Sequence, residues 1–146
     1  MSVGWDQLTE GMKGPRREVG PLTRTDFVRY QGASGDFNPI HHDEEFAQKA
    51  GFPSVFSVGM LQAGYLATYA TDLFGPDNVR RFAIRFREQV WPGDTITCRG
   101  VVGEHRHDAT LDEDVVDLEL EAVTQHGAVA IAAAATFALA PADRSA

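Results

Sequence analysis

The segment VGMLQAGYLATYATDLF, residues 58–74, carries the longest helical pattern of apolar side chains in the sequence. Its large apolar residues cover most of the circumference of a helix rather than one stripe, so the helix is predicted to be buried. Ser54 or Ser57 is expected to cap its first turn, and Gly75-Pro76 ends it. Small residues along the segment would let other elements pack closely against it: Gly59, Ala63, Gly64, Ala67 and Ala70.

Residues that follow this helix change their hydrophobic period from 3.6 to 2, which predicts strands. Phe82, Ile84 and Phe86 alternate with arginines, and the apolar residues between 116 and 122 alternate with acidic ones, as in strands with one buried face. Turns are predicted at residues 91–94 and at His126-Gly127. The run from His105 to Asp108 resembles a metal cluster only superficially, and we expect it in an exposed hairpin loop.

The alanine-rich run of residues 128–140 is ambiguous, because alanine favours helix by intrinsic propensity. Its bulky residues nevertheless share one parity and its small residues the other, and a hairpin turn precedes it. We therefore predict a strand. Helices that come first and antiparallel strands that follow them indicate an α+β fold.

The amino-terminal part of the chain predicts an edge strand over residues 16–19 and two helices. Thr23 and Asp26 have the spacing of a capping box, so the first helix begins there, and Gly35 ends it. The acidic run from Asp43 begins a second, short helix, since carboxylates favour the positive end of a helix dipole.

The loop GDFNPIH, residues 35–41, carries an acid, an amide and an imidazole on a segment that cannot be a regular helix. Pro39 lacks a backbone N–H and biases Asn38 away from the α region. Asp36 and His41 are the usual parts of a general acid/base pair. The alternative is structural: Asp36 caps a turn, and His41 satisfies a neighbouring group.

The run YQGASGDFNPIHHD, residues 30–43, resembles the signature of the MaoC-like, (R)-specific enoyl-thioester hydratases and dehydratases. The similarity continues through Phe46-Ala47, Ala50-Gly51 and Gly59-Met60-Leu61, and then through residues 79–95. It covers about residues 5–140, and we treat residues 1–146 as one domain. The resemblance implies a hot-dog fold, in which an antiparallel sheet wraps around one long helix, here Val58 to Phe74.

The resemblance also implies an activity, the reversible hydration of a trans-2-enoyl thioester to an (R)-3-hydroxyacyl thioester. Asp36 and His41 would hold the water and move the protons, and the residues alone do not settle which of them is the base. The thioester of coenzyme A or of an acyl carrier protein is part of the substrate, and no metal or further cofactor is implied.

Three further residues are candidate substrate contacts. The resemblance points to the backbone N–H of Gly59, at the start of the long helix, as the donor to the thioester carbonyl; the alternative is a packing glycine. Asn38 orients the loop or the substrate, or only makes a local turn. Tyr65 is expected to shape the acyl pocket. The chain departs from the family at Val58, where many relatives carry histidine.

Less distinctive residues have simpler interpretations. His42 is predicted to face solvent, and Cys98 to be a core residue. Arg85 and Arg87 are candidates for contacts with the phosphates of coenzyme A or the acidic groups of a carrier protein, and a solvated or interface surface is the alternative.

Composition narrows the class of protein. The 146 residues suffice for one domain with a real core. Thirteen basic and 21 acidic residues give a net charge of −8, which argues against a nucleic-acid surface. A single cysteine excludes an internal disulfide, and no apolar run reaches the length of a membrane span. We expect a cytoplasmic protein.

The sequence is also compatible with two alternatives to a self-contained hydratase. One is a hot-dog acyl thioesterase, because a fold does not fix an activity; the Asp-x-Asn-Pro-x-His loop argues against it. The other is a subunit of a heterodimer with a second hot-dog chain, in which this chain would be the catalytic half. The resemblance implies at least a dimer, with a homodimer as the simplest form.

Overall fold

The computed structural model of the chain describes residues 7–139, so both ends of the predicted domain lie outside the described residues. Its strands are β1 (Arg17–Val19), β2 (Val79–Phe86), β3 (Ile96–Asp108), β4 (Glu113–Thr124) and β5 (Val129–Ala138). Its helices are α1 (Arg24–Ser34), α2 (Glu44–Lys49) and α3 (Gly59–Phe74), with short 3-10 helices at Pro39–His41 and Pro76–Asn78.

The five strands form one antiparallel sheet in the order β1-β3-β4-β5-β2. The α+β plan is therefore confirmed, and so is the strand assignment of the alanine-rich run. Strand β5 lies between β4 and β2, where both edges of its backbone are hydrogen-bonded. Ala133 and Ala135 are buried beneath α3, whereas Ala134 is exposed on the opposite face.

The main core lies between α3 and the sheet. Leu66, Tyr69 and Ala70 of the helix are buried against inward-facing residues of β3, β4 and β5. Cys98 is fully buried there, as predicted. No helix within residues 7–139 combines the length and the hydropathy that crossing a membrane requires.

A second, smaller cluster fixes the first half of α3 to α1. Its buried residues include Phe27 of α1, Leu61 of α3 and Ala130 of β5. Because the loop of residues 35–41 leaves the end of α1, this packing holds the loop near the start of α3.

The predicted ends of α1 are confirmed. The Thr23 side chain accepts the N–H of Asp26, the Asp26 side chain accepts the N–H of Thr23, and Gly35 ends the helix with a φ of 76°. The serine cap predicted for α3 is wrong. Val58 is its N-cap and makes no side-chain capping bond, while the Ser57 hydroxyl is bound instead to Gln62.

The position predicted for His105–Asp108 is also wrong, because these residues form the end of β3 rather than a loop. Polar contacts across the strands extend β3 beyond the apolar core: Arg106 forms an ion pair with Asp117, and Nδ1 of His107 lies 3.0 Å from Oδ1 of Asp114. The turn follows at residues 109–112. These charged contacts do not produce the apolar alternation by which a strand is recognised in a sequence.

Candidate active site

The loop between α1 and α2 is held by its own side chains. Asn38 accepts the N–H of Ile40 at 3.1 Å and so caps the 3-10 helix Pro39–His41, in which Pro39 takes a first-turn position. Asp36 accepts the N–H of Asn38 at 3.2 Å. The local turn considered for Asn38 and the turn-capping role considered for Asp36 are therefore both present, and they fix where this loop presents its polar groups.

Gln31 anchors the loop to α1. Its side chain is 2% exposed, and its Nε2 donates to the backbone carbonyls of Asp36 at 2.8 Å and Asn38 at 3.0 Å. Its Oε1 lies 3.0 Å from Nδ1 of His42, which is exposed as predicted. Sequence reasoning missed Gln31. The available indication was its place four residues after buried Phe27, where a polar residue shares the inward face of α1.

His41 is buried and has a defined orientation. Its Nδ1 lies 2.8 Å from the carbonyl oxygen of Phe56, and the Phe56 ring meets the imidazole edge-on, with 5.2 Å between centroids. Since a carbonyl oxygen only accepts, Nδ1 carries the proton of the neutral imidazole and Nε2 presents its lone pair. An imidazole held in this tautomer can take a proton at Nε2.

Asp36 is exposed and lies five residues before the buried His41 in the same loop. The Asp36 carboxylate and the His41 ring form neither a hydrogen bond nor an ion pair with each other in the described structure. Within the described residues, Oδ2 of Asp36 and Nε2 of His41 take part in no hydrogen bond.

A cleft of about 470 Å³ brings the loop to the start of α3. Its walls include Asp36, Phe56, Val58, Gly59, Gln62, Phe86 and Arg87. His41 is not one of its lining residues and lies behind Phe56, whose carbonyl it contacts. A larger groove, of about 990 Å³, lies on the sheet face opposite α3 and includes neither Asp36 nor Gly59. The smaller cleft is the candidate site because it alone of the two joins the acid to the helix end.

The first turn of α3 is open towards a ligand. Within residues 7–139 no hydrogen bond uses the N–H of Gly59 or of Met60, and Val58 provides no side-chain cap. Free N–H groups and the positive end of the helix dipole attract a negatively charged oxygen. A Cβ on Gly59 would lie 2.6 Å from Cε1 of Phe86, so the glycine also makes room for that ring.

The family model described as "MaoC like domain" matches residues 8–125. The chain belongs to the MaoC-like domain family. The (R)-specific enoyl-CoA hydratase of Rhodospirillum rubrum is 35% identical over 96 residues, which are 64% of this MaoC-like chain and 65% of that hydratase. The peroxisomal multifunctional enzyme type 2 of Mus musculus is 38% identical over 66 residues, 43% of this chain and 9% of that enzyme. The matched segments thus cover less than two thirds of either curated relative.

A solved structure confirms the hot-dog fold of the MaoC-like chain. The (R)-hydratase from A. caviae involved in PHA biosynthesis superimposes with a TM-score of 0.79 at 26% identity, over 92% of this chain and 98% of that chain. The sheet packed around α3 is the arrangement that the family resemblance implied.

The remaining predicted residues of the MaoC-like site are dispersed. Tyr65 is half-buried and packs against both core clusters, outside the walls of the cleft, so its contact with substrate stays a prediction. Arg87 lines the cleft, whereas Arg85 lines the groove on the opposite sheet face. Within residues 7–139 no group of three or more His, Cys, Asp or Glu side chains is arranged to hold a metal ion.

Proposed function

We propose that this chain catalyses the reversible hydration of trans-2-enoyl thioesters to (R)-3-hydroxyacyl thioesters. The observation that carries the proposal is the pairing of the loop with the helix end: Asp36 and Gly59 line one cleft, and Phe56, which orients His41, forms its wall. Membership of the MaoC-like family and the names of the hydratase relatives support it.

Hydration requires a water molecule to lose a proton, its oxygen to bond to C3 of the substrate, and C2 to gain a proton. The free Oδ2 of Asp36 and Nε2 of His41 would hold that water and handle both protons. As the new bond forms, negative charge develops on the thioester oxygen. The open N–H of Gly59 would stabilise it, since a preformed donor costs no reorganisation during the reaction.

The carrier of the acyl group is proposed to be coenzyme A or an acyl carrier protein. Of the two arginines considered from the sequence, Arg87 is the one beside the site, and it makes no ion pair within the described residues. A free guanidinium there suits a phosphate of either carrier. No metal or further cofactor is proposed, and the cytoplasm stays the expected location.

We further propose that the chain acts as a dimer, with itself or with a second hot-dog subunit. Strand β2 forms one edge of the sheet, and its last residue, Phe86, is 58% exposed. Met60, on the first turn of α3, is 49% exposed. Apolar side chains beside an unpaired strand edge are features that a partner subunit would cover.

The test is hydration of a short and a long trans-2-enoyl-CoA by the purified chain. Loss of the conjugated thioester absorbance reports hydration, and release of free thiol is measured in parallel. We expect loss of absorbance without thiol. Asp36→Asn should lower the rate by roughly 10²–10⁴, the usual contribution of general acid/base catalysis.

Asp77→Asn is the matched control, since Asp77 is exposed on the 3-10 helix that follows α3 and lies outside the cleft. It should keep the wild-type rate. Thiol release by the wild-type chain would instead identify a thioesterase, and equal rates for Asp36→Asn and the wild type would contradict the assigned role of Asp36.

A further inference from the structure

Gln62 is a buried polar residue in the wall of the cleft. Its side chain is 2% exposed, although the residue lies on the otherwise largely apolar helix α3. The hydroxyl of Ser57, which is equally buried, donates to Oε1 of Gln62 at 2.6 Å. This bond fixes the carboxamide between the helix and the segment that precedes it.

The amide nitrogen of Gln62 is left without a partner. No hydrogen bond among residues 7–139 uses Nε2, and no side-chain nitrogen or oxygen in the described structure is both unpartnered and sealed from solvent. The Nε2 group therefore keeps access to solvent. Because Gln62 lines the cleft and is otherwise buried, that access is through the cleft.

The direction of the side chain brings this donor to the start of the helix. Side chains of an α-helix lean towards its amino terminus, and positions three apart share a face. Gln62 lies three residues after Gly59, and its bond to Ser57 draws the carboxamide past the first turn. The amide N–H groups and the open N–H of Gly59 thus face one cleft from the same helix end.

We propose that Gln62 is a substrate-binding residue whose Nε2 donates to the thioester carbonyl oxygen, as a second donor beside the N–H of Gly59. This inference rests on the proposed hydratase function. Two neutral donors aimed at one oxygen form an oxyanion hole, which acts most strongly as negative charge develops there. Ser57 is then a positioning residue, because its hydroxyl occupies Oε1 and turns Nε2 towards the substrate.

The experiment compares kcat and KM for trans-2-enoyl-CoA hydration by the wild type, Gln62→Met and Gln62→Glu, with thermal unfolding of each. Methionine keeps the length of the side chain and removes the donor, so kcat should fall by roughly 10²–10³ while KM changes little. Gln48→Glu, an exposed glutamine on α2, is the matched control and should keep the wild-type kcat.

The glutamate variant separates a donor from a merely structural residue. Its ionised carboxylate can still accept the Ser57 hydroxyl but has no proton to donate to substrate. The ratio of its kcat to that of the wild type should therefore rise as the pH falls and the carboxyl group becomes protonated. A ratio that does not change with pH would overturn the inference even if Gln62→Met fails to fold.

A folded Gln62→Met with the wild-type kcat would overturn the inference and leave the hydratase function intact. A wild-type chain that hydrates no enoyl thioester would remove the proposed function, and this inference with it. The two failures are thus distinguished by the wild-type measurement.

Discussion

Gln31 does more to set the geometry of the candidate site than its position in the sequence suggests. One buried carboxamide binds the carbonyls of Asp36 and Asn38, and through them it fixes the backbone that carries the carboxylate proposed to act in catalysis. A general base has to lie within hydrogen-bond reach of the proton that it removes. Small displacements of this loop should therefore be costly for catalysis.

Gln31→Leu should lower both stability and activity. The variant loses the two hydrogen bonds that the carboxamide donates to the loop carbonyls, each contributing about 0.5–1.5 kcal/mol, and a displacement of about 1 Å can cost on the order of 10²-fold in rate. Urea unfolding and the rate of enoyl-CoA hydration would measure the two effects. Gln48→Leu, at an exposed glutamine, is the control. A Gln31→Leu chain that hydrates substrate at the wild-type rate would show that the loop does not depend on this anchor.

The side chains proposed to react can be predicted from the sequence more easily than the side chains that hold them in place. Asp36 and His41 stand close together in a loop with a family signature, and Gly59 follows from the start of a long helix. Gln31 and Gln62 make contacts that depend on tertiary packing. Each is a polar residue on an inward helix face, and a sequence does not reveal which backbone carbonyl or hydroxyl it will meet there.

Helix α1 is specified at its first turn. The reciprocal bonds of Thr23 and Asp26 satisfy N–H groups that a helix start leaves open. The backbone and then the side-chain hydrogen bond from Thr23 lower the pKa of Asp26 below its usual value of 3.8. The cap is consequently strongest where Asp26 is ionised.

Thr23→Ala should cost about 0.5–2 kcal/mol of stability near neutral pH, the usual value of an N-cap. The pKa of Asp26 is lower in the folded state than its usual value of 3.8. Ionised Asp26 therefore stabilises the fold fully above about pH 3.8, and this stabilisation is lost as the pH falls through the lower pKa of the folded state. The difference between variant and wild type should therefore shrink in acid. Denaturant unfolding at several pH values measures this difference. Thr25, the second residue of α1, is exposed, and Thr25→Ala should show neither the loss of stability nor its dependence on pH.

Elements with a strong apolar period or a clear capping motif were predicted well, whereas the charged end of β3 was not. Helix α3 and the buried face of β4 follow from their periods. Strand β5 could be predicted only by giving the alternation of bulky and small side chains more weight than the helix propensity of alanine. The strand forms because the segment lies inside the sheet, between β4 and β2. The far end of β3 was missed because polar contacts with β4, rather than apolar residues, extend it.

Cys98, the single cysteine in the sequence, can be used to detect opening of the core by its reaction with thiol reagents. Cys98 is fully buried under α3, and burial raises the pKa of its thiol from 9.0 to about 11. A buried neutral thiol is inert towards reagents that need the thiolate. Modification of Cys98 should therefore occur only as the fold opens.

The raised pKa of Cys98 also predicts alkaline destabilisation. The unfolded thiol ionises near 9.0 and the folded thiol near 11, so the folded state retains more protons between these values. The free energy of unfolding should be insensitive to this group below about pH 9 and should fall as the pH rises towards 11. Urea unfolding of the wild type and of Cys98→Ala across this range measures it. An equally steep decline in both proteins would contradict the burial of the thiol.

The most decisive measurement is a double-mutant cycle for enoyl-CoA hydration with Asp36→Asn, His41→Gln and the double variant. Residues that act on one water molecule are expected to behave as a unit, so the double variant should be little slower than the slower single variant. Circular dichroism and thermal unfolding would establish that all three chains are folded. If the two losses in activation free energy simply add, Asp36 and His41 act independently, and the shared site inferred from the loop and the cleft is wrong.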